Sequence, residues 1–156
     1  MKNIWHYEFS IGTLGIAEDG DGITNIFFKN DPLLNDFTKL ETPLLQEAGI
    51  QLQEYFGGKR KIFNLPLSLH GTEFQLSVWK ALQSIPYGET RSYKQIAELI
   101  GKPKACRAVG MANNRNPVMI IVPCHRVIGQ DGSMVGYASG LDTKKYLLHL
   151  ENGERS

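Results

Sequence analysis

Ser92-Tyr93-Lys94-Gln95-Ile96-Ala97-Glu98-Leu99-Ile100-Gly101-Lys102-Pro103-Lys104-Ala105-Cys106-Arg107-Ala108-Val109-Gly110-Met111-Ala112-Asn113 is the stretch on which the reading of this chain turns. Ser92 and Gln95 have the spacing of a capping box, and Tyr93, Ile96, Ala97 and Ile100 fall on one helical face. Gly101-Lys102-Pro103 ends that helix, and a second runs from Lys104 to about Asn113. Two short helices across a tight glycine-containing turn make a helix-turn-helix. The second helix carries small residues where base-reading helices carry Asn, Gln or Arg, so it cannot read a major-groove code. It suits close approach to a shallow surface with one side chain inserted, as in proteins that read shape or deformability. Arg107 is the group placed to insert. The alternative is that Ala, Val and Met pack inward and leave Arg107 in solvent.

Toward the N-terminus, Thr72 and Gln75 form another capping box, and Phe74, Val78, Trp79 and Leu82 form an apolar stripe that stops at Pro86-Tyr87-Gly88. Thr42-Pro43 begins an earlier helix, with Leu44, Leu45, Ala48, Leu52, Tyr55 and Phe56 at helical spacing up to Gly57-Gly58. Lys59 to Leu69 connects the two. Residues 4–9, 13–18 and 23–28 are short, partly alternating runs separated by Gly12 and by Glu18-Asp19-Gly20-Asp21-Gly22, which predicts a small antiparallel meander.

Composition bounds the function. A chain of 156 residues can bury one core with at most a small added lobe, and 42% hydrophobic with 21% charged residues excludes disordered and fibrous classes. The N-terminus lacks a signal-peptide h-region and no run of about 18 apolar residues could span a bilayer, so a cytoplasmic, membrane-free protein is expected. Cys106 and Cys124 are the chain's only cysteines, too few for a disulfide framework and without a Cys-x-x-Cys pair, so no metal is expected. Net charge is +1, yet residues 1–70 hold 6 basic against 9 acidic side chains and residues 71–156 hold 11 against 7. Between residues 80 and 126, Lys80, Arg91, Lys94, Lys102, Lys104, Arg107, Arg115 and Arg126 face only Glu89 and Glu98. Such clustering suits a polyanion or a solvated face.

Asn116-Pro117-Val118-Met119-Ile120-Ile121-Val122 reads as a buried strand or extended segment that delivers Pro123-Cys124-His125-Arg126. A cysteine flanked by histidine and arginine has surroundings that stabilise thiolate, the competent nucleophile. A small buried hydrophobe beside a structural histidine is the other reading. On a strand, adjacent residues point to opposite faces, so His125 would need a bend or a bridging water to reach Cys124. A carboxylate to orient the histidine would come from Glu151, Asp131 or Asp142, among which spacing does not choose. Gly129, Gly132, Gly136 and Gly140 punctuate a loop that contains Tyr137, and Asp142 is expected to N-cap a last helix.

Gly71-Thr72-Glu73-Phe74-Gln75, Ile85-Pro86-Tyr87-Gly88-Glu89-Thr90, Ser92-Tyr93, Arg107-Ala108-Val109-Gly110, Asn116-Pro117 and Val122-Pro123-Cys124-His125-Arg126-Val127-Ile128-Gly129 together resemble the O6-alkylguanine-DNA alkyltransferase family over residues 71–151. The resemblance implies DNA repair by irreversible, stoichiometric transfer of a methyl or other alkyl group from guanine O6, with O4-alkylthymine as a second substrate, to Cys124. Residue by residue, it implies His125 as the base acting through a water, Glu151 as the carboxylate that holds it, and Asn116 as the residue that orders the segment. Tyr93 would assist extrusion of the base and Arg107 would fill the vacated stack, as base flipping requires. Arg126 joins the DNA- and base-binding residues, and Met134, Tyr137, Ala138 and Ser139 lie in the pocket loop 134–140. The implied partner is double-stranded DNA holding alkylated bases, bound by a monomer or by several chains along the duplex, without a cofactor. Three departures stand out: Cys106 where the family has alanine, Ala138-Ser139-Gly140 where it has paired glycines, and no cysteine before Cys106 for the zinc site of some members. The rivals are a non-catalytic lesion-binding module like the alkyltransferase-like proteins, which replace the acceptor cysteine, and a Cys-His hydrolase, which leaves the helix-turn-helix unexplained. The expected fold is α+β in two lobes, residues 1–70 with an antiparallel sheet and helix, and residues 71–156 helical with the helix-turn-helix and Cys124.

Overall fold

The structure is a computed structural model that describes residues 2–28, 36–133 and 140–153. The chain divides into two compact units, Met1–His70 and Gly71–Ser156.

In the first unit, strands β1 (Asn3–Phe9), β2 (Gly12–Glu18) and β3 (Ile23–Phe28) form the predicted antiparallel meander. A short strand β4 (Thr38–Lys39) adds in parallel beside β1, giving the order β3-β2-β1-β4 and making the sheet mixed. Two residues are too short for a sequence pattern to reveal. Gly15 on β2 is dictated by its cross-strand partner, because a Cβ there would stand 2.3 Å from the Phe27 ring. Helix α1 (Pro43–Phe56) starts where Thr42 caps it, its hydroxyl accepting from the Leu45 amide at 3.3 Å. Its buried Leu45, Ala48, Leu52 and Tyr55 share the core with Leu14, Ile16 and Ile23 of the sheet. The connecting segment is not loose: Ile23 N–H donates to Pro66 O and Ser68 N–H to Ile23 O.

The second unit begins with α2 (Glu73–Leu82), where Thr72 and Gln75 close the capping box. Ser92 and Gln95 do the same for α3 (Tyr93–Leu99), and α4 (Cys106–Asn114) follows across Gly101, whose φ of 78° ends α3 in the glycine-favoured region. The Trp79 indole N–H donates to Ala112 O at 2.9 Å and ties α2 to α4. Two-residue strands β5 (Arg91–Ser92) and β6 (Val127–Ile128) pair in parallel, which sets the start of α3 beside the residues that follow Cys124. Helix α5 (Leu141–Glu151) completes the unit.

Two expectations are corrected here. Val118, Met119, Ile120 and Val122 are buried as predicted, but residues 116–122 turn back on themselves rather than extend. Val122 N–H donates to Val118 O at 3.0 Å, Ile121 N–H donates to Met119 O at 2.9 Å, and Ile120 sits at φ 74°. An apolar run reports burial, and its length alone does not tell a strand from a packed turn. Asp142 is not the cap of α5. Gly140 holds that position without a side-chain bond, and Asp142 lies in the first turn, where its charge suits the positive end of the helix.

Candidate active site

A left-handed conformation at a β-branched residue is unfavourable by about 1–3 kcal/mol and persists only when its surroundings hold it. At Ile120 the holder is Asn116. Its side-chain amide donates to Val122 O at 2.7 Å while its Oδ1 accepts from Val118 N–H at 3.0 Å, so one side chain clamps both ends of the turn. The clamp fixes the exit of the chain at Pro123 and therefore the place of Cys124.

Cys124, His125 and Arg126 form a single 3-10 turn, all three buried. The sequence expectation of a strand put neighbouring side chains on opposite faces. The structure has a tight turn there, and no strand. Asn113 of α4 donates from Nδ2 to Cys124 O at 3.3 Å, anchoring the turn to the second helix of the pair. Cys124 itself is 5% exposed.

Of the three carboxylates that spacing left open, Glu151 meets His125. His125 Nε2 and Glu151 Oε2 are 2.6 Å apart, with both side chains buried. Asp131 and Asp142 are exposed, and Asp131 Oδ1 accepts from the amide of Ser133 in its own turn. The second oxygen of Glu151 accepts from Arg126 Nε at 2.8 Å and from the Gly88 amide at 3.4 Å, and Arg126 Nη2 donates to Oε2 at 3.0 Å. Gly88 reaches this position with φ 81°, a conformation few other residues adopt.

Arg126 was expected among the DNA- and base-binding residues. The structure places it in the interior instead: 6% exposed, its Nη1 donating to Ile85 O at 2.7 Å and its guanidinium 5.7 Å from the centre of the Tyr87 ring. A guanidinium committed to a buried carboxylate and a backbone carbonyl is not available to a phosphate. One of the eight clustered cations is therefore a structural counter-ion.

The electrostatics of the cluster follow. Burial pushes the Glu151 carboxyl up, but the hydrogen bond and charge of His125 and those of Arg126 outweigh it and hold it at about 2. Burial pushes His125 below its ordinary value; the Glu151 contact opposes this, while the charges of Arg126 and Lys144 add to it. At neutral pH the pair is thus a carboxylate and a neutral imidazole. A carboxylate only accepts, so Nε2 carries the ring proton and Nδ1 bears the lone pair. His125 Nδ1 is buried with no hydrogen-bond partner among the described residues, which leaves it free to act as a base.

Sequence reasoning missed Lys144. Its side chain is fully buried on α5, and Nζ donates to Val127 O at 2.6 Å. Burial lowers its ammonium and the charge at Cys124 raises it, and the same sulfur charge adds to burial in raising the Tyr93 phenol. The signal was present: Lys144, Leu147, Leu148 and Glu151 share one helical face, and a lysine on an apolar face has to be paired or functional.

Tyr93 opens α3, half-buried, and its ring carbons lie 3.8 Å from the point where a Cβ of Gly110 would stand. Arg107 is exposed on α4 with Ala108, Met111, Asn114 and Arg115, whereas Val109, Ala112 and Asn113 are buried. Val109 and Ala112 pack inward, but Met111 does not. Met134, Tyr137, Ala138 and Ser139 lie outside the described residues. No three potential metal ligands converge among the described residues.

Comparison with known proteins agrees over both units. Residues 5–69 match the ribonuclease-like domain of 6-O-methylguanine DNA methyltransferase, and residues 73–153 match its DNA binding domain. Among curated relatives, a methylated-DNA--protein-cysteine methyltransferase of Methanosarcina barkeri is 52% identical, covering 92% of this chain and 93% of its own. The constitutive protein of that name from Bacillus subtilis is 51% identical, covering 92% of each. Among solved structures, Mycobacterium tuberculosis OGT in complex with DNA superimposes with a TM-score of 0.91 at 45% identity, covering 97% of this chain and 94% of the other. With matches across both of its units and relatives above half identity along nearly its full length, the chain belongs to the 6-O-methylguanine DNA methyltransferase family.

Proposed function

We propose that this chain repairs DNA by moving an alkyl group from O6 of guanine, and from O4 of thymine, onto Sγ of Cys124, once per molecule. The observation that carries this reading is the buried line Cys124, His125, Glu151, Arg126. It supplies a thiol, a neutral base and a charge-neutralised carboxylate in one interior, beside the family's helix-turn-helix.

The chemistry balances without a cofactor. Nδ1 of His125 takes the Cys124 proton through a bridging water, and Glu151 stabilises the imidazolium that forms. The thiolate attacks the alkyl carbon; the carbon–sulfur bond forms as the carbon–oxygen bond breaks, and the pair of electrons leaves on the guanine. The proton held by His125 then returns to the base, giving neutral guanine and S-alkylcysteine. Lys144 adds positive charge toward the sulfur, favouring thiolate before transfer. It also accounts for a histidine that stays neutral until it is needed.

The target atom lies inside a duplex, so the base has to leave the stack. Arg107, exposed on α4, fills the gap, and Tyr93 meets the extruded base. We read the chain as a monomer acting on DNA in the cytoplasm, with Cys124, His125, Glu151 and Arg126 supplied by the same chain. No helix among the described residues is long and apolar enough to cross a membrane.

The test is intact-protein mass after incubation with excess duplex carrying one O6-methylguanine. One added methyl group per chain, lost in Cys124→Ser, is the expected result. Tight, lesion-selective binding with no mass gain would replace transfer with lesion recognition alone.

A further inference from the structure

The outer face of α4 carries more than Arg107. Along its first two turns the exposed residues are Arg107, Ala108 and Met111, so only two side chains project beyond a β-carbon. They stand at i and i+4, which places them on one face with Cβ atoms about 5–6 Å apart. Met111 is 59% exposed while its neighbours Gly110 and Ala112 lie against the Tyr93 ring and in the core. The core beneath is closed by Val109 and Ala112, at 0% and 3% exposure, so nothing in the fold asks for a methionine here.

A single exposed apolar residue is ordinary. This one sits among cations: Lys94, Lys102, Lys104, Arg107 and Arg115 are all exposed on or near the same helix pair. A face that combines arginine, an unbranched apolar side chain and otherwise small residues, rimmed with positive charge, has the chemistry of a surface that wedges between base steps. The spacing of the two side chains spans between one and two base-pair rises of about 3.4 Å.

We infer that Met111 is a second intruding group, an apolar wedge one helical turn beyond Arg107 that lies against the step next to the extruded base and holds the duplex open. The inference rests on the proposed transfer from DNA and names a positioning residue for it. Met111 touches no reacting atom; it lowers the energy of the opened duplex and has no part in bond making.

The experiment measures methyl gain by mass for the wild-type chain, Met111→Ala and Met111→Leu, on duplex O6-methylguanine and on the free O6-methylguanine base, which needs no extrusion. Met111→Ala is expected to slow transfer from duplex about fivefold to tenfold, the scale of losing one wedge contact, and to leave the free-base rate within about twofold. Met111→Leu, still apolar, recovers most of the duplex rate. Equal rates for Met111→Ala and wild type on duplex, or equal losses on both substrates, would overturn the wedge while wild-type transfer stands. A wild-type chain that takes methyl from neither substrate would overturn the transfer reading itself, and the wedge with it.

Discussion

The second unit holds two thiols, and both precede a basic side chain: Cys106 stands before Arg107, and Cys124 before His125 and Arg126. Their surroundings nevertheless differ. Cys106 opens α4 partly exposed, its Sγ 4.0 Å from Pro103 O. Cys124 is buried on a turn fixed by Asn113 and Asn116, beside a neutral histidine, a carboxylate held at about 2 and a buried lysine. The lesson is that a neighbouring positive charge in sequence does not make a nucleophile. In the proposed transfer, what does so is the set of groups drawn from α5 and the Pro86–Gly88 turn.

The largest expected effect comes from Cys124→Ser, which removes all methyl gain from duplex O6-methylguanine by mass spectrometry. If Cys106 took over as acceptor in that variant, the contrast between the two thiols would fail. Next is Glu151→Leu, which leaves the buried guanidinium of Arg126 without its counter-charge; urea unfolding should show a loss of about 3–5 kcal/mol. Adding Arg126→Met should restore much of that stability without restoring transfer, because His125 remains without its carboxylate. A double variant as unstable as the single one would show that the ion pair is not what holds this end of α5.

Lys144→Met should slow transfer at neutral pH about tenfold, the equivalent of one pKa unit of thiolate population, with the deficit shrinking as pH rises. A rate ratio that stays constant with pH would mean that Lys144 only packs. Acid stability gives a smaller, graded effect. Both His125 and Glu151 are depressed, so the unfolded chain binds more protons than the folded one below 6.5 for the histidine and between 4.5 and about 2 for the carboxyl. Thermal unfolding followed across pH should therefore show stability falling as pH drops through these windows, and neither group contributing slope above about pH 7.5. A stability that rises on acidification would contradict the neutral assignment of His125. Smallest of all, Cys106→Ser should leave the transfer rate within about twofold, since its sulfur bonds nothing that the site uses.

Local signals were strong where a rule operates within a few residues. The capping boxes at Thr72 and Ser92, the proline-led start at Thr42, and the alternating runs before residue 28 place elements that the structure keeps within one or two residues. Cys124 and His125 stood out in the sequence as a cysteine flanked by histidine and arginine, whereas Glu151 was set apart from Asp131 and Asp142 only by the resemblance to the family. The strand β4 was not, because two residues carry no period. The turn over 116–122 was not, because its geometry is set by the Asn116 clamp rather than by its own apolar residues.

By itself, then, the amino-acid sequence determined the helix pair, the thiol, its flanking histidine and the polarity of charge between the two halves, since each depends on neighbours in the chain. Only the tertiary structure decided that Glu151 rather than Asp131 or Asp142 meets His125, that Arg126 turns inward to neutralise it, that Lys144 is buried on Val127 O and that Met111 faces out. The first three of these join groups 17 to 26 residues apart and rest on which side chains burial forces to find a partner, while Met111 is left outside because Val109 and Ala112 already close the core beneath it.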